Sequence, residues 1–331
     1  MQERENRPSD RRTVRRNCRR PGCRRKARQR ARWKRLALSL LRTALMVCAL
    51  VLFFRWENTA LQVTTWEASF ANLPEGFDGC RIVVLSDLHG ASFGRDGMAL
   101  YRKVKTLNPD YIFFLGDLED SIRGPAEGYG ETVAEELSAL APAYYITGNH
   151  EWAIGGVPEL KARLMAHGFT VLDNRSVPLE RNGDRIVLCG IDDPNGNRDQ
   201  KSPEAVAAEV REIYGDAFWL LLAHRNDRFP TEYAALGADL TLSGHAHGGL
   251  IRLPFTDGLI GSNRTWFPSW TAGFYEFEGA WLFVTRGLGN SGNTFRLFNR
   301  PEIAVLTLQV LGGRPVLGGP PDPIQGKRDD P

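Results

Sequence analysis

Six histidines occur in 331 residues, and five of them sit in short polar clusters that each follow an apolar run. The densest cluster is Gly244-His245-Ala246-His247-Gly248-Gly249, two imidazoles one residue apart between glycines. On extended backbone, residues i and i+2 point to one side of the chain, and small neighbours let another group approach closely. A metal ion or a phosphate would suit this pattern, although a solvated turn is the commoner origin of a single His-x-His. The other clusters bear on the choice. They are Asp87-Leu88-His89, Gly116-Asp117-Leu118-Glu119-Asp120, Gly148-Asn149-His150-Glu151 and Ala223-His224. His167 stands apart and reads as a surface helix residue.

These clusters offer oxygen and imidazole donors without thiolate, a mixture suited to Mn, Fe or Zn in a catalytic role. Seven candidate ligands arise: Asp87, His89, Asp117, Asn149, His224, His245 and His247. That is too many for one tetrahedral ion. They suit two divalent metal ions about 3.5–4 Å apart sharing a carboxylate, an arrangement used for in-line attack on phosphorus. His245 and His247 would then each reach a different ion.

The elements that must position these groups follow from periodicity. Short apolar strands followed by polar loops are expected over 81–90, 110–120, 143–151, 217–227 and 238–249. Amphipathic helices are expected between them, over 97–108, 131–140, 158–168 and 204–215, with Gly168 as a C-cap. Paired strands surround the turn Asn182-Gly183, and the region after residue 272 reads as strands with a turn near Glu278-Gly279. Every polar cluster therefore falls at the carboxyl end of a strand, where open α/β sheets bind ligands. Helices between strands, followed by late hairpins, imply a layered α/β sandwich with two sheets.

Charge is unevenly spread. Residues 1–35 hold fourteen Arg and two Lys against Glu3, Glu5 and Asp10, a net of +13; with +3 for the whole chain, the remainder carries −10. The apolar run Leu36–Phe54 follows, interrupted by Arg42 and closed by Arg55 and Trp56. Its nineteen residues, at about 1.5 Å each, span roughly 28 Å as a helix, close to the thickness of a bilayer's hydrocarbon core. No small-x-small cleavage site follows, so an uncleaved anchor is expected rather than a signal peptide. The positive-inside rule puts the basic tail in the cytoplasm and the rest across the membrane. Only Trp33 accompanies the arginines of the tail, and no nucleic-acid-binding motif appears, so anionic lipid headgroups are the expected partner and nucleic acid is not. Cys18, Cys23, Cys48, Cys80 and Cys189 form no CxxC and imply neither a zinc knuckle nor a disulfide framework. The expected domains are a disordered tail over 1–35, an anchor over 36–56, a catalytic domain over 57–311 and a disordered Gly/Pro-rich end over 312–331.

The succession "DLH", "GDLED", "GNHE", "AH", "GHAH" resembles the calcineurin-like metallophosphoesterase family over roughly residues 78–310. "TRGLGNSG" (285–292) and "NRPEI" (299–303) resemble its membrane-anchored bacterial branch of phosphodiesterases and phosphohydrolases. The resemblance implies a four-layer αββα sandwich, here preceded by one N-terminal transmembrane helix. It implies Asp87, His89 and His247 on one ion, Asn149, His224 and His245 on the other, and Asp117 bridging. It also implies His150 over the phosphate, oriented by Glu151, with Asp120 supporting a ligand histidine or the loop. A hydroxide between the ions would attack phosphorus in line.

Arg286 and Asn290, in a Gly-rich loop, are candidates for a substrate phosphate or sugar, or for a structural turn. Trp266, Phe267, Trp270, Phe274 and Tyr275 could form an apolar lip for acyl chains, or a strand edge packed on the sheet. The expected activity is hydrolysis of a phosphodiester or pyrophosphate, with a lipid or lipid-linked substrate favoured by the anchor. A phosphomonoesterase or nucleotidase with the same centre is the alternative, as is a catalytically silent membrane scaffold that recruits partners through its arginines. Oligomeric state is not legible.

Overall fold

A computed structural model of the chain describes residues 21–122, 128–196, 200–253, 257–261, 265–311 and 316–318. The chain divides into two units after Phe53. The first contains most of helix α1 (Pro21–Thr59), which is long and apolar enough to cross a membrane. None of its apolar stretch is buried within the protein. The basic segment from Pro21 is helical rather than disordered as expected. Its Arg, Lys, Ala and Gln residues favour helix, no Gly or Pro follows residue 22 before the apolar run, and Pro is tolerated in a first turn. The expectation for residues 1–20 lies outside the described residues.

The second unit opens with β1 (Gln62–Phe70), β2 (Arg81–Leu85), α2 (Met98–Lys105) and β3 (Tyr111–Phe114). It continues through α3 (Tyr129–Ser138), β4 (Ala143–Tyr145), the short α4 (Asn149–Ile154), α5 (Val157–Ala166) and β5 (Thr170–Val171). The hairpin β6 (Arg175–Arg181) and β7 (Asp184–Ile191) precedes α6 (Pro203–Tyr214), β8 (Trp219–Arg225) and β9 (Leu240–Gly244). The chain closes with β10 (Gly273–Phe277), β11 (Ala280–Val284), β12 (Glu302–Val310) and β13 (Val316–Gly318). Val316–Gly318 pair antiparallel with β1, a departure from the disorder expected over 312–331.

Two sheets result, in the orders β13-β1-β12-β2-β3-β4-β5 and β10-β11-β9-β8-β7-β6. Strand alternation explains how they stack. Ile82 and Val84 face the second sheet's Leu220, Leu222, Leu240 and Leu242, in one core between the sheets. Their neighbours Val83 and Leu85 turn outward onto Leu100, Val104, Val133, Leu137, Leu160 and Leu164 of α2, α3 and α5. Across the second sheet, Trp219 and Leu221 pack on Val206, Ala207 and Val210 of α6. The layers are therefore α, β, β, α, as the motif resemblance implied. The parallel runs β2–β3–β4 and β7–β8–β9 lie centrally, so their carboxyl ends converge on one region.

Candidate metal centre

The polar clusters occupy those carboxyl ends, and their backbone there is unusual. Asp87, His89, Asp117, His245 and His247 all have φ between 48° and 66°. Left-handed conformations cost non-glycine residues free energy, so five in one place mark an arrangement that the surroundings enforce. Part of that enforcement is glycine. A Cβ on Gly244 would lie 2.0 Å from the Ser86 Oγ and 2.7 Å from an Asp87 carboxylate oxygen. A Cβ on Gly116, whose φ is 83°, would strike the Gly148 backbone at 2.3 Å. The ends of β2 and β9, and those of β3 and β4, can thus approach each other closely.

His245 and His247 are consequently not on extended backbone. Both sit in the turn after β9 and diverge to different clusters, for a reason other than strand alternation. His247 joins Asp87 and His89, whereas His245 joins Asp117 and His224. The Nε2 atoms of His89 and His247 are 3.1 Å apart, and His247 Nε2 is 3.4 Å from Asp87 Oδ1. Asp117 Oδ2 lies 3.6 Å from His89 Nε2 and 3.2 Å from His224 Nε2, so a single carboxylate oxygen faces both clusters.

Three of the four candidate ligand histidines are held neutral, as metal ligands require, and His224 is the exception. Burial holds His89 and His245 well below the usual imidazole range, and lowers His247 as well. Burial alone would raise Asp117, but the His224 charge and hydrogen bond hold it well below the usual carboxylate range. The reciprocal effect lifts His224 to about 10 against its own burial. A proton on His224 and a cation between the two side chains are alternatives, since either neutralises Asp117. His224 Nδ1 is 2.6 Å from the Leu115 carbonyl and His247 Nδ1 is 3.3 Å from that of Gly289, which leaves each Nε2 for the centre. Asn149 Oδ1 is buried without a hydrogen bond, and His224 Nε2 has the Asp117 carboxylate at 3.2 Å. An orphaned oxygen of this kind, among imidazoles and carboxylates, fits divalent cations.

Around the centre, one expected role changes. Glu151 does not orient the His150 ring. Its carboxylate accepts hydrogen bonds from the backbone N–H groups of Asp117, Gly148 and Glu119 at 2.9, 2.7 and 3.1 Å, and so pins two ligand loops together. Burial and the Asp117 charge push it up to about 7, while the Glu119 and Gly148 amides pull it down. The His150 ring instead meets Ser121, whose N–H donates to Nδ1 at 3.0 Å, with Asp120 Oδ1 3.7 Å away. Asp120 also accepts from Ile122 N and Gly292 N, linking two loops.

Arg286 and Asn290 are engaged elsewhere than in the centre. Arg286 donates through Nε to buried Glu302 at 3.2 Å, and the Arg286 N–H donates to the same carboxylate at 2.7 Å. Asn290 donates to Asn58 and accepts from Arg296 at 2.9 and 3.0 Å. Of the aromatic lip, Phe274 packs on Trp66 and Phe283, Trp270 on Phe229 and Phe277, and the Tyr275 hydroxyl bonds Ala272. Trp266 and Phe267 alone of the five stay largely exposed, at 67% and 65%. They lie between Thr265 and Pro268, which line a cleft of about 210 Å³ that reaches His245.

Sequence reasoning missed Arg296 and Asn299. Arg296 is fully buried, and its guanidinium donates to the Gly289 carbonyl at 2.7 Å and lies 3.4 Å from His247 Nδ1. Asn299 donates to the His247 carbonyl at 2.7 Å. Neither has a spacing relation to the histidines; the one signal was the "NRPEI" stretch in which Asn299 lies.

Comparison with known proteins places the chain among relatives. The calcineurin-like phosphoesterase profile matches residues 80–249, which carry all seven candidate ligands. The metallophosphoesterase YkuE of Bacillus subtilis (strain 168) is 31% identical over 264 residues, covering 76% of this chain and 87% of its own. A Bos taurus transmembrane protein with metallophosphoesterase domain is 32% identical over 260 residues; the match covers 75% of this chain and 57% of the bovine protein. Among solved structures, a dimetal phosphatase from Danio rerio has a TM-score of 0.41 at 13% identity, covering 63% of this chain and 88% of that one. By the profile match and the YkuE relationship, the chain belongs to the calcineurin-like phosphoesterases, metal-dependent hydrolases of phosphoesters.

Proposed function

We propose that the protein is a membrane-anchored phosphoesterase that cleaves a phosphodiester or pyrophosphate bond of a lipid or lipid-linked substrate. The observation that carries the hydrolytic reading is the pair of buried donor clusters facing one Asp117 oxygen. In this reading Asp87, His89 and His247 hold one divalent ion, Asn149, His224 and His245 hold another, and Asp117 faces both. Mn, Fe or Zn suits such donors. Two bound ions supply Lewis-acid stabilisation of phosphoryl charge and a water of lowered pKa.

The chain's own residues do the rest. The Ser121 N–H occupies His150 Nδ1, so the ring proton sits on Nε2, the nitrogen that also lies 3.3 Å from Ser291 Oγ. From there it can hydrogen-bond a phosphoryl oxygen or protonate the departing one. Glu151 keeps the Asp117 and Gly148 loops in register through its three backbone hydrogen bonds. Asn299 and Arg296 fix the turn that carries His247.

The anchored part of the proposal is supported by α1, and the basic residues before Leu36 favour a cytoplasmic N-terminus beside anionic headgroups of a bacterial membrane. The catalytic domain would then lie outside the cytoplasm. Exposed Trp266 and Phe267 beside the cleft favour an acyl-bearing substrate.

The test is hydrolysis of bis-p-nitrophenyl phosphate and p-nitrophenyl phosphate by the full chain in detergent, with Mn²⁺, with chelator, and in the His245→Ala variant. Mn-dependent diester cleavage, abolished by chelator and by the substitution, is expected. Faster monoester than diester cleavage would move the assignment to a phosphomonoesterase. No turnover of either ester by folded protein with Mn, Fe or Zn would sink the hydrolytic reading.

A further inference from the structure

The polypeptide that leaves the apolar run of α1 does not hang free of the catalytic unit. Phe54, the last residue of that run, packs its ring edge-on against Phe295 at 6.1 Å. One turn later, Asn58 pairs with the backbone of Arg296: Oδ1 accepts from its N–H at 2.7 Å, and Nδ2 donates to its carbonyl at 3.0 Å. The same Oδ1 accepts from Asn290 at 2.9 Å. Buried Glu57 accepts from the Asn299 N–H at 3.2 Å, and the Arg300 guanidinium lies 4.4 Å over the Trp56 ring. Residues 54–58 are thus bound to the loop 290–300 through Phe54, Trp56, Glu57 and Asn58.

That loop has two ends with different chemistry. At one end, the Ser291 hydroxyl is 3.3 Å from His150 Nε2. At the other, Phe295 and Phe298 are 50% and 52% exposed, and Phe298 holds a left-handed φ of 54° that costs an aromatic residue free energy. Ile122, 70% exposed, adjoins the same loop: a Cβ on Gly292 would meet its Cδ1 at 2.7 Å. Phe54, Trp56, Phe295 and Phe298 are thus exposed apolar groups on the loop and on the segment bound to it, and concentrated apolar exposure marks interaction surfaces. Covalent continuity identifies the occupant. In the anchored reading the stretch ending at Phe54 crosses the bilayer, which would put Phe54 and the Phe295 ring packed on it at the depth where that bilayer meets water.

We propose that the loop Ser291–Phe298 rests on the membrane surface, with Phe295 and Phe298 in the boundary between headgroups and acyl chains. The side of the centre that carries His150 then faces lipid, and the centre takes its phosphoester from the membrane plane rather than from bulk solvent. This rests on the anchored phosphoesterase reading and adds to it a defined lipid-contacting surface.

The experiment places p-benzoylphenylalanine at position 298 of the full chain in lipid nanodiscs and irradiates it. Lipid adducts at 298 are expected, and none from the same group at position 213, an exposed site on α6. Absence of lipid adducts at 298, or cross-linking to a second copy of the chain, would overturn the proposal. A kinetic arm separates this from failure of the hydrolytic reading. Hexadecyl p-nitrophenyl phosphate embedded in the disc and soluble bis-p-nitrophenyl phosphate are compared in the wild type and in a Phe295→Ser/Phe298→Ser variant. The ratio of embedded to soluble turnover should fall about tenfold, as loss of interfacial apolar contacts implies. An unchanged ratio refutes the membrane-facing loop while leaving hydrolysis standing.

Discussion

Two polar regions of the second unit look alike in sequence and differ in what their side chains do. The strand-end loops at 87–89, 117, 149–151, 224 and 245–247 bring imidazoles and carboxylates within reach of one another, and Asn149 Oδ1 is buried there without a hydrogen bond. In the loop at 286–300, Arg286 is bound to Glu302, Asn290 to Asn58 and Arg296, and Arg296 to Gly289. Leaving a buried polar atom without a partner costs free energy, so such an atom beside packed imidazoles and carboxylates indicates a site made for a ligand. A Gly-rich loop with an Arg and an Asn indicates nothing until their partners are known. Here the partners are protein, and the loop serves as a brace between the centre and residues 54–58.

The largest effect that would sharpen this contrast is at the shared ligand. Asp117→Asn should lower diester turnover by about a thousandfold or more, because it removes the one charge facing both clusters. Metal content by mass spectrometry should fall with it, and the protein should remain folded by circular dichroism. Unchanged metal content would break the assignment of this carboxylate.

His150→Ala should retain metal. Its loss of turnover should reach about 10²–10³-fold on an alkyl ester and be smaller on a p-nitrophenyl ester, since a good leaving group needs no proton. Equal losses on both would mean that His150 stabilises charge without donating a proton.

Arg286→Ala tests the brace. Removing one partner of a buried ion pair leaves Glu302 uncompensated and should cost about 3 kcal/mol of stability, read from chemical denaturation. The KM of the folded fraction should hold. A raised KM without a stability loss would return Arg286 to substrate binding and dissolve the contrast between the two regions.

The smallest effect is the pH dependence of that brace. Burial alone would raise Glu302, but Arg286 and the hydrogen bonds from Arg286 N, Thr64 and Thr285 hold its carboxyl below its ordinary value of 4.5. A carboxyl depressed in the folded state contributes stability above its unfolded pKa, and that stability is lost as pH falls through the folded value. Thermal melts should therefore show the difference between wild type and Glu302→Gln shrinking as pH drops below about 4.5. A difference that grows on acidification would contradict the assigned sign.

Much of the fold and of the centre was legible in the residues alone, for identifiable reasons. The strand ends were readable because each buried strand is an apolar run that gives way abruptly to polar residues. Asp87, Asp117, Asn149 and His245 all stand just after such runs. The donor types announced divalent metal because imidazole and carboxylate without thiolate restrict the choice of ion. The roles of Glu151, Arg286 and Asn290 were not readable, since each depends on which backbone amide or carboxylate lies opposite. β12 could not be placed from sequence either: it lies between β1 and β2, more than 200 residues away along the chain.

The sequence by itself determined the inventory, the order of strands and helices, and the fact that the donors sit at strand ends. These are local properties, set by side-chain chemistry and by periods of 2 and 3.6 residues. How the donors divide into clusters, why His245 and His247 part company, and that a loop bound to the end of α1 touches His150 emerge in the assembled fold. Those outcomes depend on left-handed turns and close backbone approaches between strands remote in sequence. Their free energy comes from the assembled sheets, and no window of residues contains it.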